Sequence, residues 1–195
     1  EIILMDFAVA QFSPIVISSV MATVVSHTFE GNFASFIVPK YQLASPYELV
    51  FYFILGVGSG LVSYLFIKML YLFEDYFDNK LKFPEYLNPM LGGIGMGLLA
   101  LLFPQVMGVG YDTINLALHG NMIWYIAFAL IFLKIFATSL TLGSGGSGGI
   151  FAPSLFMGAM LGSFFGSFVH TYFPAITASP GAYALVAMGG LVAGT

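Results

Sequence analysis

The sequence of 195 residues has no cysteine and no arginine, and only 7% of it is charged. Without cysteine, neither a disulfide framework nor a thiolate metal site can form. Five lysines, no arginine and a net charge of −4 leave no basic cluster of the kind that nucleic acid or an anionic membrane surface requires. Charge this sparse, against roughly 25% in an ordinary soluble domain, excludes a water-facing surface over most of the chain.

What is present points to lipid as the solvent. The chain is 59% hydrophobic and 17% aromatic, with 23 glycines, which suits interfacial aromatic belts and closely crossing helices. The expected fold class is therefore all-α: a polytopic membrane protein with tilted and broken helices. The chain opens at Glu1 rather than methionine, shows no signal-peptide pattern, and stops at Thr195 inside an apolar run, so it reads as an internal fragment cut on both sides.

Apolar runs and their breakers divide the chain. Phe12 to Phe29 reads as the first span. Gly31, Asn32, Pro39, Lys40, Gln42, Ser45 and Pro46 supply a surface connection. Pro46 and Glu48 suit the start of a helix reaching about Asn79, long enough to require tilt. Within it Gly56 and Gly60 form a small-xxx-small pair that predicts close docking of another helix, and Lys68 snorkels or faces protein. Glu74, Asp75, Asp78, Lys80, Lys82 and Glu85 read as a solvated helix end, with Lys80 and Lys82 placing that loop on the cytoplasmic side.

Further along, Pro89 to Phe103 is a Gly-rich helix with Gly93 and Gly97, and a short helical piece follows around Thr113 to His119. Asp112 invites a proton-relay or cation-site role, but its place at the start of that piece predicts N-terminal capping. Asn121 to Leu142 forms another span, anchored by Trp124 and Tyr125 and containing Lys134. A last span begins near Gly181.

The most informative segment lies between those two spans. Gly143 to Gly149 reads GSGGSGG and runs directly into IFAPSLFMGAMLGSFFG, Ile150 to Gly166. A broken backbone followed by a helix start within apolar sequence marks a binding site. A helix starting near Phe151 leaves its first N–H groups without intrahelical acceptors and carries about half a positive charge there, so an anion is the natural ligand. Gly148 and Gly149 allow the turn and a close approach of backbone, and Pro153 in the first turn has no N–H to leave unpaired. Ile150 and Phe151 are the expected backbone donors. Half a charge at about 4 Å and an effective dielectric near 20 attracts an anion by roughly 2 kcal/mol, half of what a full charge gives there, which leaves release possible. Gly158, Gly162 and Gly166 repeat every fourth residue as a bare ridge that should dock against a neighbouring helix.

At Gly143 to Ala159, GSGGSGGIFAPSLFMGA, the chain closely resembles the CLC family of chloride channels and anion/proton exchangers, whose second-half signature is a Gly-rich turn followed by GxFxP. GVGSGLVSYLF from Gly56, PMLGGIGMGLLALLFPQVMGVGYD from Pro89 and KIFATSLTLGSGGSGG from Lys134 resemble family segments in family order. The resemblance implies an inverted-repeat fold, in which residues 1–44 end the first repeat and residues 45–195 begin the second, with the anion-binding loop and helix at 143–173. It implies chloride or a similar small anion as the ligand, with no other cofactor, a homodimer in the bilayer, and a multi-pass protein of a prokaryotic inner membrane. It also implies that Ile150 and Phe151 bind the central anion through their N–H groups. The family's Ser-bearing turn, gating Glu and late Tyr match no segment of this chain.

Passive channel and proton-coupled antiporter are both compatible with the resemblance. Exchangers of the family often carry adjacent acids where this chain begins; Ile2 follows Glu1, and in the internal proton-relay position it would argue against tight coupling. An enzyme alternative rests on G-x-S-G at Gly145 to Gly148, which matches the nucleophile motif of rhomboid-like intramembrane serine proteases at Ser147. His27, His119 and His170 are poorly placed to serve it, and a transporter rather than an enzyme is expected.

Overall fold

The computed structural model describes residues 9–31, 36–80 and 85–195. Glu1, Ile2, Asn32 and Lys82, singled out above, lie outside the described residues. Contacts divide the chain into two units, Glu1–Ser35 and Phe36–Thr195.

The first unit contains helix α1, Val9–Glu30. Two of its threonines are tolerated in an apolar helix because their hydroxyls bond back one turn: Thr23 donates to the Ser19 carbonyl at 2.9 Å and Thr28 to Val24 at 2.8 Å. Gly31 ends the helix in the left-handed conformation, at φ 92°.

The second unit is built from α2 (Glu48–Asp75), α3 (Asn88–Leu102), α4 (Tyr111–Leu118), α5 (Trp124–Gly143), α6 (Phe151–Tyr172) and α7 (Pro180–Gly194). Their starts lie within a few residues of the prolines and glycines that punctuate the sequence. A five-residue π turn, Tyr76–Lys80, extends α2. Glu48–Asn79, Trp124–Gly143 and Phe151–Tyr172 are long and apolar enough to cross a membrane, while Ser13–Phe29, Asn88–Leu102 and Pro180–Gly194 are shorter apolar helices.

Helix α6 forms the centre, packed on α5, α7 and α4, and α2 lies across α5 and α7. Phe156, Met157 and Met160 of α6 are fully buried with Ile114, Leu130 and Leu191 around them. Lipid tails are as apolar as these side chains, so burial alone gives little drive for helix association in a bilayer, and close van der Waals fit has to supply it. The expected ridge does so. A Cβ at Gly158 would lie 2.5 Å from Met188 Cα, one at Gly166 would lie 2.9 Å from Pro180 Cα, and one at Gly162 would collide with the Tyr183 carbonyl.

The close approach expected at Gly56 and Gly60 is displaced. An added Cβ at Gly56, Gly58 or Gly60 meets no atom within 4 Å among the described residues. The buried stripe of α2 runs instead through Glu48, Leu55, Ser59, Ser63 and Phe66, one residue round the helix. Ser59 and Ser63 face Gly190 and Gly194 of α7, and Ser63 Oγ donates to the Leu191 carbonyl at 3.2 Å. Serine is small enough for this approach, and at Ser63 the hydroxyl adds a hydrogen bond to it.

Glu48 ties the front of the unit together. Its fully buried carboxylate accepts from the N–H of Ala44 at 3.0 Å, the Tyr52 hydroxyl at 3.0 Å and the N–H of Ala178 at 2.8 Å. Nearby, the Tyr41 hydroxyl donates to the Leu118 carbonyl, and burial pushes its pKa up, which keeps the phenol a donor.

Candidate functional site

The site is the junction between α5 and α6. Helix α5 stops where it crosses α2: a Cβ at Gly143 would stand 2.7 Å from Phe73 Cβ and 2.9 Å from the Glu74 nitrogen. The chain then turns back on itself through Gly145, at φ 81°. The Gly145 N–H donates to the Leu142 carbonyl at 2.9 Å and the Gly146 N–H to the Thr141 carbonyl at 2.9 Å, the paired bonds of a Schellman motif. Gly146 is required by space as well, since its Cβ would lie 2.6 Å from the Thr141 oxygen. The GSGGSGG run is therefore a defined stop for one helix before the start of the next.

Ile150 is the N-cap of α6, and Phe151 is the first helical residue. The Ile150 carbonyl accepts both the Ser154 N–H at 3.0 Å and the Ser154 hydroxyl at 2.7 Å, which fixes the first turn. Among the described residues, no carbonyl accepts from the N–H of Ile150 or Phe151 and no side chain caps this helix. Pro153 occupies the third helical position, where its missing N–H leaves nothing unpaired.

Gly148, Gly149 and Pro153 line a cavity of about 290 Å³ with Lys134, Thr138 and Val106. An added Cβ at Gly149 meets nothing within 4 Å among the described residues, so this glycine borders open space. Lys134 is 3% exposed. Its ammonium donates to the Val106 carbonyl at 2.8 Å and the Gly108 carbonyl at 2.6 Å, and stands 4.8 Å from the centre of the Phe156 ring. The turn that presents those carbonyls is shaped by Gly108 and Gly110, at φ 56° and 78°. Sequence reasoning placed Lys134 in a span but gave it no part in the site. Its burial depends on residues some 26 to 28 positions away, which no local pattern reveals.

Other candidates separate from the junction. Asp112 does not cap α4: the N-cap is Gly110 in the left-handed conformation, and no side-chain cap bond forms there among the described residues. Asp112 is exposed in the first turn, the end of a helix where the dipole favours an acidic residue. Ser147 is exposed. His170 Nδ1 pairs with the Thr177 hydroxyl at 3.1 Å and His119 Nδ1 with the Asn115 carbonyl at 2.8 Å, so neither is directed to Ser147 through that nitrogen.

The sequence pattern of the family described as voltage gated chloride channel matches residues 1–195. The chain is 32% identical over 195 residues to a protein of Ralstonia nicotianae named putative chloride channel protein ClcB-like, covering 100% of this chain and 45% of that one. It is 37% identical over 194 residues to chloride channel protein CLC-f of Arabidopsis thaliana, covering 92% and 25%. It is 32% identical over 193 residues to the H(+)/Cl(-) exchange transporter ClcA of Vibrio campbellii, covering 97% and 41%. The chain thus spans less than half the length of these curated relatives.

Proposed function

Because the chain belongs to the voltage-gated chloride channel family, we propose that it carries part of a chloride-transport route in which the N–H groups of Ile150 and Phe151 hold the anion. Members of this family are integral, multi-pass membrane transporters and not enzymes, which sets aside the protease alternative at Ser147. The observation that supports the anion site is the junction itself. A Schellman-capped stop and a fresh helix start leave two backbone donors without carbonyl partners among the described residues, and their chain neighbours Gly149 and Ala152 line a cavity.

The same reading assigns residues 1–44 to the end of the first inverted repeat and residues 45–195 to the start of the second. It takes the protein as a homodimer in a prokaryotic inner membrane. Proton-coupled exchange is the second reading, favoured by the similarity to the Vibrio exchange transporter.

The test replaces one donor. Ile150→Pro removes an N–H at a residue whose φ of −92° lies near the range proline accepts. A hydrogen bond to a charged partner is worth about 1.5–3 kcal/mol, so chloride affinity measured by calorimetry on the purified protein should fall roughly ten- to a hundredfold. Native affinity in a folded variant would reject the site. Chloride flux in liposomes with simultaneous pH recording separates the two transport modes, because chloride-driven uphill proton movement occurs only with coupling.

A further inference from the structure

Lys134 combines features that the backbone site alone does not explain. Its ammonium is buried in a helix long enough to span a membrane, yet its hydrogen-bond partners are carbonyl oxygens of Val106 and Gly108. Carbonyls solvate a cation without neutralising it, so the positive charge persists in its surroundings. Those surroundings include the cavity that Lys134 shares with Gly148, Gly149 and Pro153.

We propose that Lys134 is a positioning residue for the anion: its unneutralised charge sets the potential of the cavity beside the Gly148–Gly149 turn and tightens anion binding at the start of α6. This rests on the assignment of the anion to Ile150 and Phe151. Lys134 and Gly149 line the same cavity, and a unit charge at about 8 Å attracts an anion as strongly as half a charge at about 4 Å, so at that separation a lysine roughly doubles the pull of a helix end. Two short charge-assisted bonds hold the ammonium to the α3–α4 connection, and the ring of Phe156 stands on another side. The charge therefore acts across the cavity without closing on the anion as a ligand, and the anion remains free to leave.

The test measures the chloride dissociation constant of the purified protein by calorimetry, with thermal unfolding followed in parallel. Lys134→Gln removes the charge, and Lys134→Arg keeps it. Thr138→Asp places a carboxylate one helical turn from Lys134 on the same cavity, and Thr138→Asn is its neutral isostere. Lys134→Gln and Thr138→Asp should each weaken chloride binding about ten- to thirtyfold, while Lys134→Arg and Thr138→Asn stay within about threefold of native. If Lys134→Gln does not fold, the Thr138 pair reads the potential of the cavity in its place, and a Thr138→Asp affinity within about threefold of native overturns the proposal. Native affinity in folded Lys134→Gln, or equal weakening by Thr138→Asp and Thr138→Asn, overturns the proposal. Ile150→Pro in the same series keeps the two ideas apart. Loss of binding there with native affinity in Lys134→Gln rejects only the lysine's role, and the reverse pattern rejects the backbone site and with it the lysine's action at the start of α6, leaving only its effect on an anion held elsewhere.

Discussion

The backbone of α6 at Gly162 rests directly on the carbonyl of Tyr183 in α7. A hydrogen is the largest group that fits between them, and the atom opposite belongs to a helix backbone that cannot rotate away. Gly162→Ala should therefore cost about 1–3 kcal/mol, the range for overpacking, with Gly158→Ala close behind. Gly56→Ala and Gly60→Ala, which meet open space, should change stability by less than about 1 kcal/mol and in the stabilising direction. Thermal unfolding in detergent checks both pairs. Equal losses in the two sets would mean that the α6–α7 ridge has no special part in assembly.

Glu48 supplies the second expectation. Its carboxylate serves three donors at once, from Ala44, Tyr52 and Ala178. A glutamine has only one accepting oxygen, so an amide NH₂ must then oppose a backbone N–H. Glu48→Gln should lower stability by roughly 2–3 kcal/mol and Glu48→Ala by more, because three buried donors lose their acceptor. A native melting temperature in Glu48→Gln would show that this cluster is slack.

The turn glycines should divide by readout. Gly145→Ala places a side chain at φ 81°, with a strain of about 1–2 kcal/mol, and Gly146→Ala adds a clash with the Thr141 carbonyl. Both should reduce stability and transport together. Gly149→Ala has room, so stability should hold while the added methyl narrows the cavity and slows chloride flux in liposomes. Slower flux from Gly145→Ala at unchanged stability would contradict the role given to the Schellman turn.

Much of this arrangement was legible from punctuation. Pro46, Pro89 and the Gly143–Gly149 run mark helix limits through their own backbone chemistry, whatever surrounds them. The Gly158–Gly162–Gly166 ridge was legible for a related reason, since three bare positions on one face of a helix serve close approach. The docking face of α2 was not. That helix is apolar all round, so its sequence carries no phase, and Ser59 and Ser63 are selected only by what lies opposite on α7. Asp112 was misread because a capping residue and a first-turn acid occupy neighbouring positions, and the left-handed Gly110 took the cap. Lys134 is defined by distant carbonyls and Glu48 by the distant amide of Ala178, which a window along the chain does not contain.

The reach of Glu48 to Ala178 also bears on biosynthesis. The two are separated by 130 residues, which at about 5–20 residues per second is roughly 6–26 s of translation. Until then Glu48 has its Ala44 and Tyr52 donors but not its Ala178 amide. The buried cluster around Glu48 is therefore complete only once the loop ahead of α7 has been made and has folded back to α2.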